Sequence, residues 1–118
     1  MKTVILDTDF ILNSVKNSIE LNSSIKSLLP YNVEIKIIDK TLEELKNKPL
    51  EKIARNLIKN FEIIKTKKNK PVDSLILDIL KENNKTIVAT QDKKLKEKLK
   101  KGKIQIITIR QQRYLVLL

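Results

Sequence analysis

The chain has 118 residues, a formal net charge of +11, and neither cysteine nor histidine. This length suits one domain with its own core, and the missing residue types exclude disulfides, Cys/His zinc sites, thiol nucleophiles, Ser-His triads and paired-histidine catalysis. A hydrolase of this composition must therefore use carboxylates, and the excess of basic residues favours a polyanionic partner, nucleic acid before an anionic membrane surface.

The predicted elements alternate between strands and helices. First come a buried strand over residues 3–6, which ends at the polar run 7–9, and one helical turn over 10–14. The next helix is capped by Ser23 or Ser24 and ends before Pro30, and a strand over 34–38 follows it. Asp39 or Thr41 begins a further helix. An amphipathic helix over 50–58 and a strand over 61–64 come next. A basic loop over 65–70 leads to a helix that begins at Pro71, and a strand over 86–90 follows. A lysine-rich helix begins after Asp92 and ends at Gly102. A strand over 104–109 comes next, and residues 110–118 form a polar turn and an apolar tail.

This alternation indicates the fold class. Strands joined through helices form parallel units with right-handed crossovers. We therefore predict an α/β fold, a three-layer α/β/α sandwich around a mostly parallel sheet of about five strands, with residues 1–118 as a single domain. No apolar run approaches the roughly 18–20 residues that span a bilayer, and no leader pattern opens the chain. We therefore expect a cytoplasmic protein without a membrane partner.

Four acidic residues fall where strands give way to helices. Asp7 follows the first strand, Glu44 and Asp73 lie in the first turns of the helices after the second and third strands, and Asp92 follows the fourth strand. Ligands bind beyond the carboxyl ends of strands in an open parallel sheet, so these carboxylates should meet at one edge. Clustered carboxylates repel one another unless a cation lies between them. Oxygen ligands favour Mg²⁺ or Mn²⁺, as one ion or two, in a site that hydrolyses phosphodiesters.

Each of these acids alone has a competing structural interpretation. Asp7 can simply cap the helix that follows it, and Asp92 can be a first-turn helix acid. Glu44 completes a capping box with Thr41. Helical phase does not separate Glu44 from Glu43 as the residue that faces the site.

Asp73 is placed by its helical phase. An acid in a first helical turn is favoured by the helix dipole wherever it faces. However, Asp73 precedes Ile76 and Leu80 by three and seven residues, and this spacing aligns it with the buried side of the helix. Asp78, on the same helix, points elsewhere.

Two lysine-rich segments are the predicted nucleic-acid-binding surface. They comprise Lys65, Lys67, Lys68 and Lys70 of the basic loop, and Lys93 and Lys94 after Asp92. These lysines would hold a phosphate backbone beside the metal edge. A solvated surface explains them equally well, since Lys- and Glu-rich surfaces are also common in proteins from hot environments. Aromatic residues make up 3% of the chain, so few side chains could stack on nucleic-acid bases.

Several motifs resemble the PIN-domain nuclease family over nearly the whole chain. They are residues 4–11, Glu44-Leu45, residues 72–76 and residues 88–95. Within the family, the chain is most similar to the branch that cleaves precursor ribosomal RNA of the small subunit, because residues 13–17 and 109–114 match as well. Toxin-type PIN domains are more distantly similar.

The resemblance implies an endoribonuclease that depends on Mg²⁺ or Mn²⁺. It assigns Asp7, Glu44, Asp73 and Asp92 as direct or water-mediated ligands, supported by Thr8, Asp9 and Thr90. It also favours Glu44 over Glu43, and it implies a homodimer. Two positions depart from the branch: Asp9 stands where Asn is usual and Ser74 where a second Asp is common. Both departures bear on whether a second ion binds.

Three other functions compete with ribosomal RNA processing. A toxin of a toxin–antitoxin pair would use the same fold and metal site, and only its target and its antitoxin partner would differ. A non-catalytic RNA-binding factor of ribosome assembly would keep the basic surface and a pre-ribosomal partner, but it would not need all four acids. A haloacid-dehalogenase-type phosphatase would use Asp7 and Asp9 as nucleophile and acid, but that fold normally needs a longer chain.

Overall fold

Six strands and six helices make up the chain, whose residues 1–118 are all described by a computed structural model. In chain order they are β1 (Lys2–Leu6), α1 (Thr8–Lys16), α2 (Leu21–Leu28), β2 (Val33–Ile38), α3 (Asp39–Glu44), α4 (Glu51–Ile58), β3 (Glu62–Ile64), α5 (Val72–Glu82), β4 (Ile87–Ala89), α6 (Lys93–Lys101), β5 (Ile106–Arg110) and β6 (Tyr114–Leu117). None of the helices is both long enough and apolar enough to cross a bilayer.

The strands form one sheet in the order β3-β2-β1-β4-β5-β6. All neighbours pair in parallel except β5 and β6, which are antiparallel. The predicted mostly parallel sheet is confirmed, with one strand more than expected. The additional strand lies in the tail, where Gln111 and Gln112 both adopt left-handed backbone angles, with φ of 54° and 57°. Such a tight turn usually contains Asn or Gly, so its sequence carries no hairpin signal.

The predicted three-layer sandwich is confirmed by two separate hydrophobic cores. Val4 and Leu6 of β1 point to the larger core, which α1, α2 and α4 cover, whereas Ile5 points to the smaller core under α5 and α6. Alternate side chains of a strand point to opposite faces, so a strand covered on both faces is apolar throughout. This explains why the central strands read as continuous apolar runs.

Three helix starts differ from the prediction. Helix α1 spans nine residues rather than one turn, and α2 is capped by Glu20, whose carboxylate accepts from the backbone N–H groups of Asn22 and Ser23, rather than by Ser23 or Ser24. Helix α3 begins directly after Ile38 without a side-chain cap. The hydroxyl of Thr41 is buried without a hydrogen-bond partner, so the predicted capping box with Glu44 does not form.

The predicted buried stripe of α4 is only half correct. Ala54 and Ile58 are buried in the larger core, but Leu50 and Ile53 are 41% and 57% exposed. Leu50 precedes the helix in a left-handed conformation, with φ of 70°. The helix therefore starts away from the larger core and reaches it only with Ala54 and Ile58.

Candidate active site

The two central strands place Asp7 and Asp92 side by side. Asp7 directly follows β1 and is the N-cap of α1, while Asp92 is the N-cap of α6, three residues after β4. The two strands are parallel neighbours in which Leu6 pairs with Ala89. The ladder continues one step past β1, because Asp7 N–H donates to the Ala89 carbonyl at 2.9 Å. The acids thus lie at the carboxyl edge of the sheet, as the parallel topology predicts.

Glu44 joins this edge from the end of α3. Its Oε1 accepts a hydrogen bond from the Thr8 hydroxyl at 2.7 Å, and its Oε2 accepts one from the backbone N–H of Val72 at 2.8 Å. Glu44 therefore links the first residues of α1 and α5. It is the last residue of its helix rather than a first-turn residue as predicted. Glu43 instead lies on the exposed side of α3 and pairs with Lys40 and Lys68.

Asp73 completes the group from the first turn of α5. Its Oδ1 accepts from the backbone N–H of Ser74 at 2.8 Å. Asp78 lies outside the site and pairs with Lys70 and Lys81, as its helical phase predicts.

These four acids surround one cleft of about 180 Å³. Its lining residues are Asp7, Thr8, Asp9, Glu44, Pro71, Asp73 and Asp92. No basic side chain is among them. Seven ion pairs occur in the structure, and none involves the five acids of the cleft. In a chain with 25 basic and 14 acidic residues, this cleft thus keeps its negative charge unneutralised.

The Asp7 carboxyl shows the electrostatic consequence. Burial raises its pKa from 3.8 to about 6, and repulsion from Asp9 and Glu44 adds to the increase. Two hydrogen bonds oppose the rise: the Thr90 hydroxyl donates to Oδ2 at 2.8 Å and Thr8 N–H donates to Oδ1 at 2.9 Å. The ionised carboxylate is therefore oriented by its neighbours, yet it lies in surroundings that disfavour its charge.

Comparison with known proteins assigns the family. Residues 4–112 match the family model described as a PIN-like domain. The chain belongs to the PIN-like domain family. It is 36% identical over 125 aligned positions to "Ribonuclease VapC4" of Methanocaldococcus jannaschii, an alignment that covers 97% of this chain and 95% of the relative. It is also similar to the solved structure of the PIN domain endonuclease Utp24, with a TM-score of 0.83, 26% identity and coverage of 98% of this chain and 90% of that chain. The resemblance seen in the sequence motifs is confirmed.

The donor set of this PIN-like domain fits a hard divalent cation. All candidate ligands are carboxylate oxygens, which suit Mg²⁺ and Mn²⁺. No three of the acids stand close enough to hold one ion directly. Mg²⁺ usually keeps several of its waters and binds through one or two carboxylates, so this spacing suits an ion held partly through water. Asp73 and Asp92 each use one oxygen in a hydrogen bond within the chain, which leaves the second oxygen free.

The predicted RNA-binding lysines of the PIN-like domain fall into two groups. All six are exposed. Lys68 and Lys70 already have acidic partners, at 3.9 Å from Glu43 and 2.7 Å from Asp78. The remaining lysines form no ion pair; they are Lys65, Lys67, Lys93 and Lys94. Exposed ion pairs contribute roughly 0–1 kcal/mol, so a phosphate can replace an acidic partner at little cost.

Two further polar residues shape the carboxyl edge of the PIN-like domain. Gln91 accepts from the Thr108 hydroxyl at 2.5 Å and from Ile109 N–H at 2.6 Å, and these bonds tie the segment before Asp92 to β5. Asp39 holds Thr66 through two hydrogen bonds. A signal for Asp39 was present in the sequence, because it follows β2 directly, just as Asp7 follows β1. No local pattern distinguishes Gln91.

Proposed function

We propose that this PIN-like domain is a metal-dependent endoribonuclease that hydrolyses RNA phosphodiester bonds. The observation that carries the proposal is the unneutralised acidic cleft at the carboxyl edge of a strongly basic chain. Five of the nine acids outside the cleft form ion pairs, among them Asp78 and Glu51, whereas none of the five acids inside it does. Five acids that share one cleft without a basic partner are expected where a cation is bound. Support also comes from the relatives, one named a ribonuclease and the other an endonuclease.

In this proposal Asp7, Glu44, Asp73 and Asp92 hold Mg²⁺ or Mn²⁺, directly or through water. When bound, such an ion lowers the pKa of water and neutralises charge that develops on the phosphate. The chain itself orients the ligands, because the hydroxyls of Thr90 and Thr8 donate to Asp7 and Glu44. Asp9 lies exposed at the rim of the cleft, where it adds negative charge and a candidate ligand for a second ion.

The lysines would hold the substrate. Lys65 and Lys67 lie in the loop that leads to the cleft residue Pro71, and Lys93 and Lys94 directly follow the cleft residue Asp92. Basic side chains on two sides of the acidic cleft would neutralise phosphates of one strand beside the bond to be cleaved. A nuclease requires this arrangement, because the cleft alone would repel RNA.

We assign the substrate to precursor ribosomal RNA, since residues 13–17 and 109–114 resemble that branch and the Utp24 structure matches along 98% of this chain. The alternative is a toxin that acts with an antitoxin and has the same ribonuclease chemistry. A homodimer and a pre-ribosomal partner are further expectations from the resemblance. A non-catalytic assembly factor is less favoured because the acidic cleft is intact. Family membership removes the phosphatase alternative.

A matched pair of variants on α5 tests the proposal. Asp73→Asn and Asp78→Asn make the same substitution on one helix, but only Asp73 lines the cleft. The purified protein should cleave a structured RNA in Mn²⁺, Asp78→Asn should retain cleavage, and Asp73→Asn or excess chelator should abolish it. Cleavage that persists in chelator, or that the two variants lose equally, would refute metal-dependent cleavage at this cleft.

A further inference from the structure

The short helix α3 carries an acid at each end, and the two acids bind the chain near the two ends of the loop over residues 65–70. Asp39 is the first residue of the helix and Glu44 the last. Six helical residues rise about 9 Å. The loop over residues 65–70 and the first residue of α5 lie alongside this helix. Asp39 is bound near the start of the loop and Glu44 just past its end.

The contacts at the Asp39 end are short and specific. Asp39 Oδ2 accepts from Thr66 N–H at 2.8 Å, and its Oδ1 accepts from the Thr66 hydroxyl at 2.6 Å. Burial raises the pKa of Asp39, but the hydrogen bonds from Thr66, with the backbone N–H of Lys40 and the charge of Lys68, outweigh it and hold the pKa below its usual value. The ionised form of Asp39 is thus the form that the loop stabilises. At the other end, Glu44 accepts from Val72 N–H at 2.8 Å.

The Thr66 hydroxyl that binds Asp39 also holds the middle of the loop. The Thr66 hydroxyl, while it donates to Asp39, accepts a hydrogen bond from Lys68 N–H at 3.1 Å. Lys68 adopts a left-handed backbone conformation, with φ of 52°. Residues with a Cβ seldom adopt this conformation unless their surroundings impose it. The Asp39–Thr66 pair therefore determines the path of a lysine-rich segment that has no hydrophobic residue of its own.

We propose that Asp39 is a positioning residue for RNA binding, which holds the 65–70 loop so that Lys65 and Lys67 face the RNA strand that enters the acidic cleft. The inference rests on the proposed ribonuclease function. Lys65 and Lys67 flank the anchored residue Thr66, and both are exposed without an acidic partner. A loop that is ordered before binding loses less conformational entropy when RNA binds, so its contacts contribute more to affinity.

A purely electrostatic role and a positioning role for Asp39 predict opposite changes in RNA affinity for the variant Asp39→Asn. Asp39→Asn removes a negative charge and raises the net charge from +11 to +12. If Asp39 acts only through its charge, RNA should bind more tightly to this variant. If Asp39 positions the loop, RNA should bind more weakly, because asparagine has only one acceptor oxygen and cannot accept from both Thr66 N–H and Lys40 N–H, as the two carboxylate oxygens do. The sign of the change separates the two roles.

The test is fluorescence anisotropy of a labelled single-stranded RNA in chelator, with the full-length protein and its variants. Loss of one such hydrogen bond should weaken binding about fivefold, and we expect this for Asp39→Asn and for Thr66→Val. Thr66→Ser keeps the hydroxyl and should bind like the wild type. The charge control is Glu97→Gln, an exposed acid without an ion pair, which should bind RNA as tightly as the wild type or more tightly. In the cleavage assay with Mn²⁺, the loop variants should raise KM and leave kcat nearly unchanged.

The inference is overturned if Asp39→Asn binds RNA as tightly as Glu97→Gln does, or if Thr66→Val and Thr66→Ser behave alike. Circular dichroism melting identifies a variant that fails to fold. If Asp39→Asn fails to fold, the comparison of Thr66→Val with Thr66→Ser decides the test, because neither variant changes the charge. A wild-type protein that binds no RNA would overturn the proposed function together with this inference. That result appears in the wild-type arm, so the two failures are distinguishable.

Discussion

Replacement of Asp7 by asparagine should abolish cleavage and yet stabilise the metal-free protein at neutral pH. The folded-state pKa of Asp7 is raised from 3.8 to about 6, mainly because the side chain is buried, with 6% of its surface exposed. A raised pKa means that the folded state binds the proton more tightly than the unfolded state does. The contribution is therefore favourable at low pH and is lost as the pH rises through about 6.

The size of the effect follows from the shift. The rise of the Asp7 pKa from 3.8 to about 6, at about 1.4 kcal/mol per tenfold change in proton affinity, corresponds to about 3 kcal/mol of destabilisation above pH 7 in the wild type. The asparagine avoids this penalty but loses one of the two hydrogen bonds to the carboxylate, which costs about 1 kcal/mol. We therefore expect Asp7→Asn to be more stable by roughly 2 kcal/mol at pH 8. At pH 5 about half of the penalty remains, so the advantage should shrink to less than about 1 kcal/mol.

The assay is urea denaturation in chelator at pH 5 and pH 8, repeated at pH 8 with Mn²⁺. Added Mn²⁺ should stabilise the wild type but not Asp7→Asn, because the variant lacks a charged ligand. A variant that is less stable than the wild type at pH 8, or whose advantage grows toward pH 5, would refute the electrostatic reasoning. A stabilisation by Mn²⁺ that is equal in both proteins would show that Asp7 does not hold the ion.

Three further predictions concern the fold and the basic surface. Thr90→Val should lower the free energy of unfolding by about 2 kcal/mol in urea titrations, because the Thr90 hydroxyl donates to Asp7 and accepts from Asp92 N–H; unchanged stability would contradict these bonds. Ile58→Ala should cost about 2–5 kcal/mol while Ile53→Ala costs less than about 0.5 kcal/mol, since the two residues are 2% and 57% exposed; equal costs would restore the originally predicted stripe of α4. The double variant Lys65→Gln/Lys67→Gln should reduce the slope of log Kd against log salt by about 1–2, and an unchanged slope would show that neither lysine contacts a phosphate.

The positions of Asp7, Asp73 and Asp92 could be predicted because the information is local. Asp7 and Asp92 stand where apolar strands give way to polar residues, and the parallel sheet brings such strand ends to one edge. Asp73 is placed by its spacing from Ile76 and Leu80 on one helix. These inferences require only the periodicity of the chain and the topology that it implies.

Glu44 lies in the cleft for a different structural reason from the one that its sequence position predicted. The capping box with Thr41 placed it in a first helical turn, whereas it ends α3 and bonds to Thr8 and Val72. Those partners lie 36 and 28 residues away, so no local pattern contains them. Strand β6 was not predicted, because it pairs with β5 through a turn in which Gln111 and Gln112 adopt left-handed angles that glutamine does not signal in a sequence.

A role as helix cap does not exclude the proposed role as metal ligand for these acids. Each of the four acids accepts a backbone N–H at the start of a helix: Asp7 at α1, Glu44 and Asp73 at α5, and Asp92 at α6. The partial positive charge of a helix N-terminus stabilises a nearby carboxylate, and here three helices begin at one cleft. Their dipoles offset part of the mutual repulsion, which allows the acids to remain together when no cation is bound. A capping pattern in the sequence cannot separate the two roles, because an acid can accept a backbone N–H and also bind an ion. The observation that supports the proposed metal site is the convergence of three helix starts in a cleft that no lysine or arginine lines.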